Sequence, residues 1–186
     1  ARDTQPGTMA EKKYRTLVRR ARMAQAGIAF EPRGPWPDIP CADVEVDFDI
    51  EWDFENLIYL WGLRVRQGQD DTTALFDPIA SYEPLDADGA ARLAELFAAR
   101  LGAVITDAEA AGKSVTVFHW SHPERSMTSK YPSVDRLLQG RSFDLHAWFT
   151  EHFLTRDGAS LKAVAPIFGF HWGVDDAGGA ESQVKI

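Results

Sequence analysis

After Asp43, four more carboxylates stand at alternate positions of the segment DVEVDFDIE (43–51). Glu45, Asp47, Asp49 and Glu51 share one side of an extended chain, and Val44, Val46, Phe48 and Ile50 share the other. Acids at every second strand residue lie roughly 7 Å apart. Neighbouring like charges repel and raise one another's pKa, so the row costs stability unless solvent screens it or a cation neutralises it. It therefore reads either as a solvated sheet face or as a site for a hard divalent ion. Mg2+ or Mn2+ takes oxygen ligands, and one or two carboxylates suffice where substrate phosphates complete the shell. Asp49 and Glu51 are the foremost candidate ligands.

A site built on one strand needs acids from elsewhere. Glu124 ends VFHWSHPE (117–124), just beyond the β-branched run 115–119, where parallel and mixed sheets keep their chemistry. Asp144 lies in SFDL (142–145), near the start of a helical pattern. Each also reads as an acid that compensates the positive end of a helix. His122 adjoins Glu124 and is a candidate proton relay, whereas His119, His146, His152 and His171 lack the close spacing of a zinc-binding helix. The lone cysteine, Cys41, excludes a disulfide framework and a Cys-based zinc site. Neither a Gly-x-Ser-x-Gly elbow nor a Gly-rich phosphate loop occurs.

Elements to position these acids are legible. The alternating segment 43–51 predicts a strand, and 57–65 (LIYLWGLRV) a second strand paired with it as a hairpin. Residues 73–77 extend this to a meander. From Asp86 or Asp88 to Ala111, Leu93, Leu96, Phe97, Leu101, Val104, Ile105 and Ala108 recur at helical spacing, and Gly112 stops the helix. A strand follows at 115–119, then helical patterns at 132–139, 144–154 and 160–168. Strands, helix, strand and further helices make a mixed α/β order.

The chain has 186 residues, 45% hydrophobic and 26% charged, a composition suited to one globular domain with an appended arm. No run of about eighteen apolar residues is present, so no spanning helix is expected. Residues 1–20 lack the apolar stretch of a signal peptide, which fits a cytoplasmic address. The net charge is −8, yet residues 1–35 hold eight Lys/Arg against three Asp/Glu. A basic helix over 10–26 carries Arg19, Arg20 and Arg22, and reads either as a solvated face or the tail of a preceding domain, or as an arm that contacts phosphates. The Pro-rich segment 31–40 reads as an extended linker. The expected division is a basic helix and linker over 1–40, which on one of these readings is the tail of a neighbouring domain, and a globular domain over 41–186.

In order along the chain, these motifs resemble a known family. Asp49-Ile50-Glu51 ending a strand, followed by Ile58-Tyr59-Leu60-Trp61-Gly62, resembles the first motif of the DEDD exonuclease superfamily. More narrowly, the chain is similar to predicted RecB-family bacterial nucleases that carry an RNase-H-like domain. Phe118-His119-Trp120-Ser121-His122-Pro123-Glu124 matches their segment after the long helix, and Asp144-Leu145 their next motif. Ser160-Leu161-Lys162 and Gly169-Phe170 match the last ones. The resemblance spans roughly 40–182. It implies an RNase-H-like mixed sheet opening with an antiparallel meander and flanked by helices. The implied activity is metal-dependent phosphodiester hydrolysis, 3′–5′ and exonucleolytic, on single-stranded DNA or RNA. Two Mg2+ or Mn2+ ions would be bridged by Asp49, with Glu51, Glu124 and Asp144 completing their shells. Lys162 would contact a phosphate, or else is an ordinary surface lysine. One departure stands out: the family's last acid, in a Tyr-x-x-x-Asp or His-x-x-x-x-Asp motif, has no match, and only Asp175 and Asp176 stand near its place. The expectation is a chain truncated before that helix, or one that has lost the acid and persists as a catalytically incomplete nucleic-acid-binding or assembly module.

Overall fold

Alternating and β-branched stretches become strands, and stretches with helical periodicity become helices, in a computed structural model that describes residues 8–120 and 122–171. In chain order the elements are α1 (Met9–Gln25), β1 (Phe30–Pro32), β2 (Val44–Trp52), β3 (Ile58–Gln67), β4 (Asp70–Phe76), β5 (Ile79–Ala80), α2 (Ala87–Ala110), β6 (Val115–His119), α3 (His122–Thr128), α4 (Pro132–Leu138), β7 (Ser142–Asp144), α5 (Leu145–His152), β8 (Phe153–Thr155) and α6 (Leu161–Val164), which runs into a 3₁₀ turn at Ala165–Phe168. No helix among the described residues is long and apolar enough to cross a membrane.

The described chain falls into two compact units, residues 38–120 with 122–147, and residues 8–37 with 148–171. In the first, β2, β3 and β4 form the antiparallel meander, and β5 pairs with β3. β2 then pairs in parallel with β6, and β6 in parallel with β7, giving the strand order β4-β3-β2-β6-β7. Helix α2 makes the crossover between the meander and β6. It starts where the Asp86 carboxylate accepts a hydrogen bond from the Gly89 N–H at 2.7 Å, and stops before Gly112, whose φ of 69° suits a residue without a Cβ.

Strand alternation separates the two faces of β2. Val46, Phe48 and Ile50 pack with Trp61 and Leu63 of β3, Val117 of β6, Phe97, Leu101 and Ile105 of α2, and Val134 and Leu138 of α4. Phe97 sits 4.8 Å from Trp61 and 5.4 Å from Phe48, centroid to centroid. Burial of each such side chain contributes roughly 1.5–3 kcal/mol, and together they fix β2 against α2 and α4. The opposite face is left to the carboxylates.

In the second unit β1 pairs antiparallel with β8, Phe30 opposite Thr155 and Pro32 opposite Phe153. Two sequence expectations change here. The segment 31–40 is not extended linker throughout, because its start continues β1; Pro32 is tolerated at the strand's end, where its missing N–H breaks no ladder. The helix expected over 144–154 ends at His152, and Phe153-Leu154-Thr155 pairs with β1 instead. Elsewhere the third strand starts at Asp70 rather than near 73, and the pattern at 160–168 is one α turn followed by a 3₁₀ turn.

Candidate active site

The pairing of β2 with β3 decides which acids in the row are available. Register sets Glu45 opposite Arg66, Asp47 opposite Arg64, Asp49 opposite Gly62 and Glu51 opposite Leu60. Opposed residues project to the same face of a sheet, so the first two carboxylates each meet a guanidinium. Arg66 Nε donates to Glu45 Oε2 at 3.0 Å, and Arg64 Nη1 to Asp47 Oδ2 at 2.6 Å. Asp71 of β4 accepts from both arginines, at 2.7 and 2.8 Å, and these bonds hold its carboxyl below the ordinary value. Glu45, 1% exposed, is thus a buried structural anion rather than part of a solvated face. The arginine ladder stops one step before Asp49.

Asp49 is exposed, yet neighbouring protein atoms exclude enough water to push its carboxyl above the ordinary value. The negative charge of Glu124 adds to that push, and the Ile50 N–H opposes it by donating to the Asp49 carboxylate. Glu124 arrives from α3, which follows the end of β6, and is 8% exposed. Arg125 on the same helix donates to Asp135 of α4 at 2.9 Å, tying α3 to an element whose Val134 and Leu138 are in the core. The crossover α2–β6–α3 therefore brings an acid from more than seventy residues away into electrostatic contact with Asp49.

The remaining sequence candidates separate. Glu51 lies on the Asp49 face of β2, half-buried, next to an irregularity in the β2–β3 register between Glu51 and Trp52. Asp144 ends β7 opposite His119, and its Oδ1 accepts from the Ala147 N–H at 2.8 Å, the bond of a helix N-cap. By register, Val46, Val117, Ser142 and hence Asp144 fall on the α2 side of the sheet, away from the Asp49 side. The structure thus couples Asp49 with Glu124, and gives Asp144 a helix to cap. Ser121, the side chain of His122, Asp175 and Asp176 lie outside the described residues. Lys162, Arg19, Arg20 and Arg22 belong to the other unit. There Arg19 is ion-paired with Glu31, Arg20 Nε is buried without a hydrogen-bond partner, and Arg22 and Lys162 are exposed.

Among the described residues no three His, Cys, Asp or Glu side chains converge to hold a metal ion. The donor chemistry of Asp49 and Glu124 nonetheless fits a hard divalent cation that takes two protein carboxylates and completes its shell from substrate and water. Two acids held close enough to repel are stabilised by a dication between them. A cleft of about 330 Å3 lined by Asp53, Phe54, Tyr59 and Leu85 sits at the β2–β3 hairpin and includes none of these acids. Arg64, Arg66 and Gly62 are the site-shaping residues that sequence reasoning did not single out. Their signal, LxVR-type alternation in β3, becomes readable only with the register in hand.

Comparison with known proteins bears on the family and the fold. A family model described as RNase_H superfamily matches residues 46–184, from the first core residues of β2 onward. The six-stranded mixed sheet flanked by helices is consistent with an RNase-H-like fold. Members of that superfamily are usually phosphodiesterases that act on nucleic acid and typically use divalent metals. Neither a curated protein nor a solved structure matches the chain.

Proposed function

Because the chain belongs to the RNase H superfamily, we propose that it is a metal-dependent nuclease that hydrolyses phosphodiester bonds from the 3′ end of single-stranded DNA or RNA. The observation that carries this reading is an accessible carboxylate on β2, Asp49, opposite Gly62 rather than an arginine, with the buried Glu124 near enough for its charge to raise the Asp49 carboxyl. The motif order shared with RecB-family bacterial nucleases supports the exonucleolytic detail.

In this reading Asp49 and Glu124 hold Mg2+ or Mn2+, and Glu51, on the same face as Asp49, supplies a further oxygen. When bound, such an ion would supply Lewis-acid stabilisation of the charge that develops on the phosphate and would make a water more acidic. The chain's own contribution is preorganisation. β2 is fixed by the Phe48–Trp61–Phe97 cluster and by the two arginine pairs, so Asp49 needs no rearrangement to meet a ligand. The Asp49 carboxylate, costly to ionise in the empty protein, gains most when a cation and a phosphate arrive together. Within the second unit, exposed Arg22 and Lys162 are proposed as phosphate contacts for nucleic acid.

A thermal melt with and without millimolar Mn2+, paired with hydrolysis of end-labelled single-stranded DNA and RNA, tests the proposal. The melting temperature should rise with Mn2+ by mass action, and Asp49→Asn and Glu124→Gln should each abolish the rise and the hydrolysis. An unmodified protein that neither responds to Mn2+ nor cleaves either substrate refutes the metal-nuclease reading. Cleavage that starts internally refutes only its exonucleolytic part.

A further inference from the structure

Gly62 occupies the position where a third arginine would continue the ladder. Side chains on that face of β3 alternate as Leu60, Gly62, Arg64 and Arg66, against Glu51, Asp49, Asp47 and Glu45 on β2. A glycine inside a strand weakens it, so its presence calls for a reason. Backbone conformation supplies none, since Gly62 does not adopt a positive φ. Packing supplies none either. Gly62 is buried, but a Cβ added there meets nothing nearer than 3.5 Å, and its three nearest atoms, at 3.5, 3.6 and 3.8 Å, all belong to Asp49. What a side chain at 62 would change is the flank of Asp49.

We propose that Gly62 is a positioning residue, kept without a side chain so that Asp49 stays free of the cross-strand cation that Asp47 and Glu45 each have, and its flank stays available to a divalent cation carrying a phosphodiester. This rests on the metal-nuclease reading and deepens it. Asp47 and Asp49 are the same residue type on the same face of the same strand, two positions apart. Arg64 opposite one and Gly62 opposite the other divides them into a structural acid and a ligand acid. An arginine at 62 would do to Asp49 what Arg64 does to Asp47, satisfying it from within the sheet so that nothing from solution is needed.

The test compares the unmodified protein with Gly62→Ala, Gly62→Arg and Asp49→Asn. Each is melted in chelator and over a Mn2+ titration, and assayed for kcat and KM on single-stranded substrate. Gly62→Ala is the variant the geometry admits without displacement. In chelator it should melt no lower than the unmodified protein and about 1–4 °C higher, from the glycine penalty it removes. Its apparent Mn2+ affinity should fall about tenfold, the scale of residues that orient a ligand without touching the metal. Gly62→Arg should lose the Mn2+-induced rise altogether while remaining folded in chelator. A Gly62→Ala protein that melts lower in chelator makes the glycine structural and overturns the proposal. So does a pair of variants that keep the unmodified protein's Mn2+ response and kinetics. If the unmodified protein and Asp49→Asn are alike in showing no Mn2+ response, it is the nuclease reading that fails, and the role given to Gly62 falls with it.

Discussion

Substituting Arg66 by Met separates the structural acids from the proposed ligand acids. Glu45 is buried, with its side chain 2% exposed, and Arg66 reaches it through Nε at 3.0 Å and Nη2 at 2.7 Å. Met keeps most of the aliphatic stem and removes the charge. Removing one partner of a buried ion pair costs about 3–5 kcal/mol, because the other charge is stranded. Here the Arg66 side chain is 22% exposed, and water entering from that side recovers part of the loss. The expected cost is therefore about 2–3 kcal/mol, or roughly 4–12 °C in melting temperature for a chain of this length. Arg64→Met is the matched control. Its pair with Asp47 has side chains 31% and 37% exposed, and an ion pair that accessible contributes about 0–1 kcal/mol. A Glu45→Gln/Arg66→Met double variant should recover at least half of the loss, since no buried charge is left without a partner. Chemical denaturation read by tryptophan fluorescence measures all four proteins. Equal losses at 64 and 66, or a double variant no more stable than Arg66→Met, would refute the assignment of Glu45 as a buried charge that depends on its partner.

Two further outcomes follow from the site. The Asp49 carboxyl is held above its ordinary value first by burial and then by Glu124, so the stability it lends is complete below the unfolded value of about 3.9 and is lost as pH rises through the higher folded value. Asp49→Asn should accordingly melt above the unmodified protein at pH 7 in chelator, with the gap closing below about pH 4; a gap independent of pH sinks the electrostatic account. Asp144 caps α5 through Ala147 at 2.8 Å, so Asp144→Ala should cost about 1 kcal/mol, whereas Asp144→Asn, an equally good cap, should cost only a few tenths and leave hydrolysis within about threefold. Hydrolysis lost in Asp144→Asn with stability intact would make Asp144 a ligand instead.

Local pattern carried the first half of the domain well. Strict alternation in β2 and the apolar spacing of α2 each reflect one dominant face buried against one partner, and such elements announce themselves in sequence. Short pairings do not. β8 is three residues long, too short for periodicity, and Phe153-Leu154-Thr155 reads as the continuation of α5 until Phe30–Pro32 is brought against it from more than a hundred residues away. The candidate site was legible in its acids and illegible in their partners. Which of four carboxylates meets an arginine depends on the β2–β3 register, and a shift of two residues would set Arg64 opposite Asp49 and Arg66 opposite Asp47, leaving Glu45 without an arginine. That register is held by the hairpin turn, where Asp53 Oδ1 accepts from the Glu55 and Leu57 N–H groups and Asn56 adopts a φ of 62°. Nothing in the acidic row itself specifies it.

The departures from local rules in the sheet gather at one place. A glycine interrupts a strand of otherwise large residues at Gly62, the carboxylate opposite it lacks the arginine its neighbours have, and the charge of a second acid from a distant helix raises that carboxyl. Each is unfavourable for folding, and each could be removed by a single substitution: a β-branched residue at 62, an asparagine at 49 or a glutamine at 124. If the acids served only solubility, their repulsion would be best relieved by spacing and exposure, yet Glu124 is buried and Asp49 is crowded. Sequences that fold well violate such rules mainly where function demands it. An accessible carboxylate beside a missing side chain, with a second acid near enough to act on its charge, is what the fold would keep if the stabilising charge arrives from outside the chain, and a divalent ion with its phosphodiester is the partner whose charge and hard oxygen chemistry match.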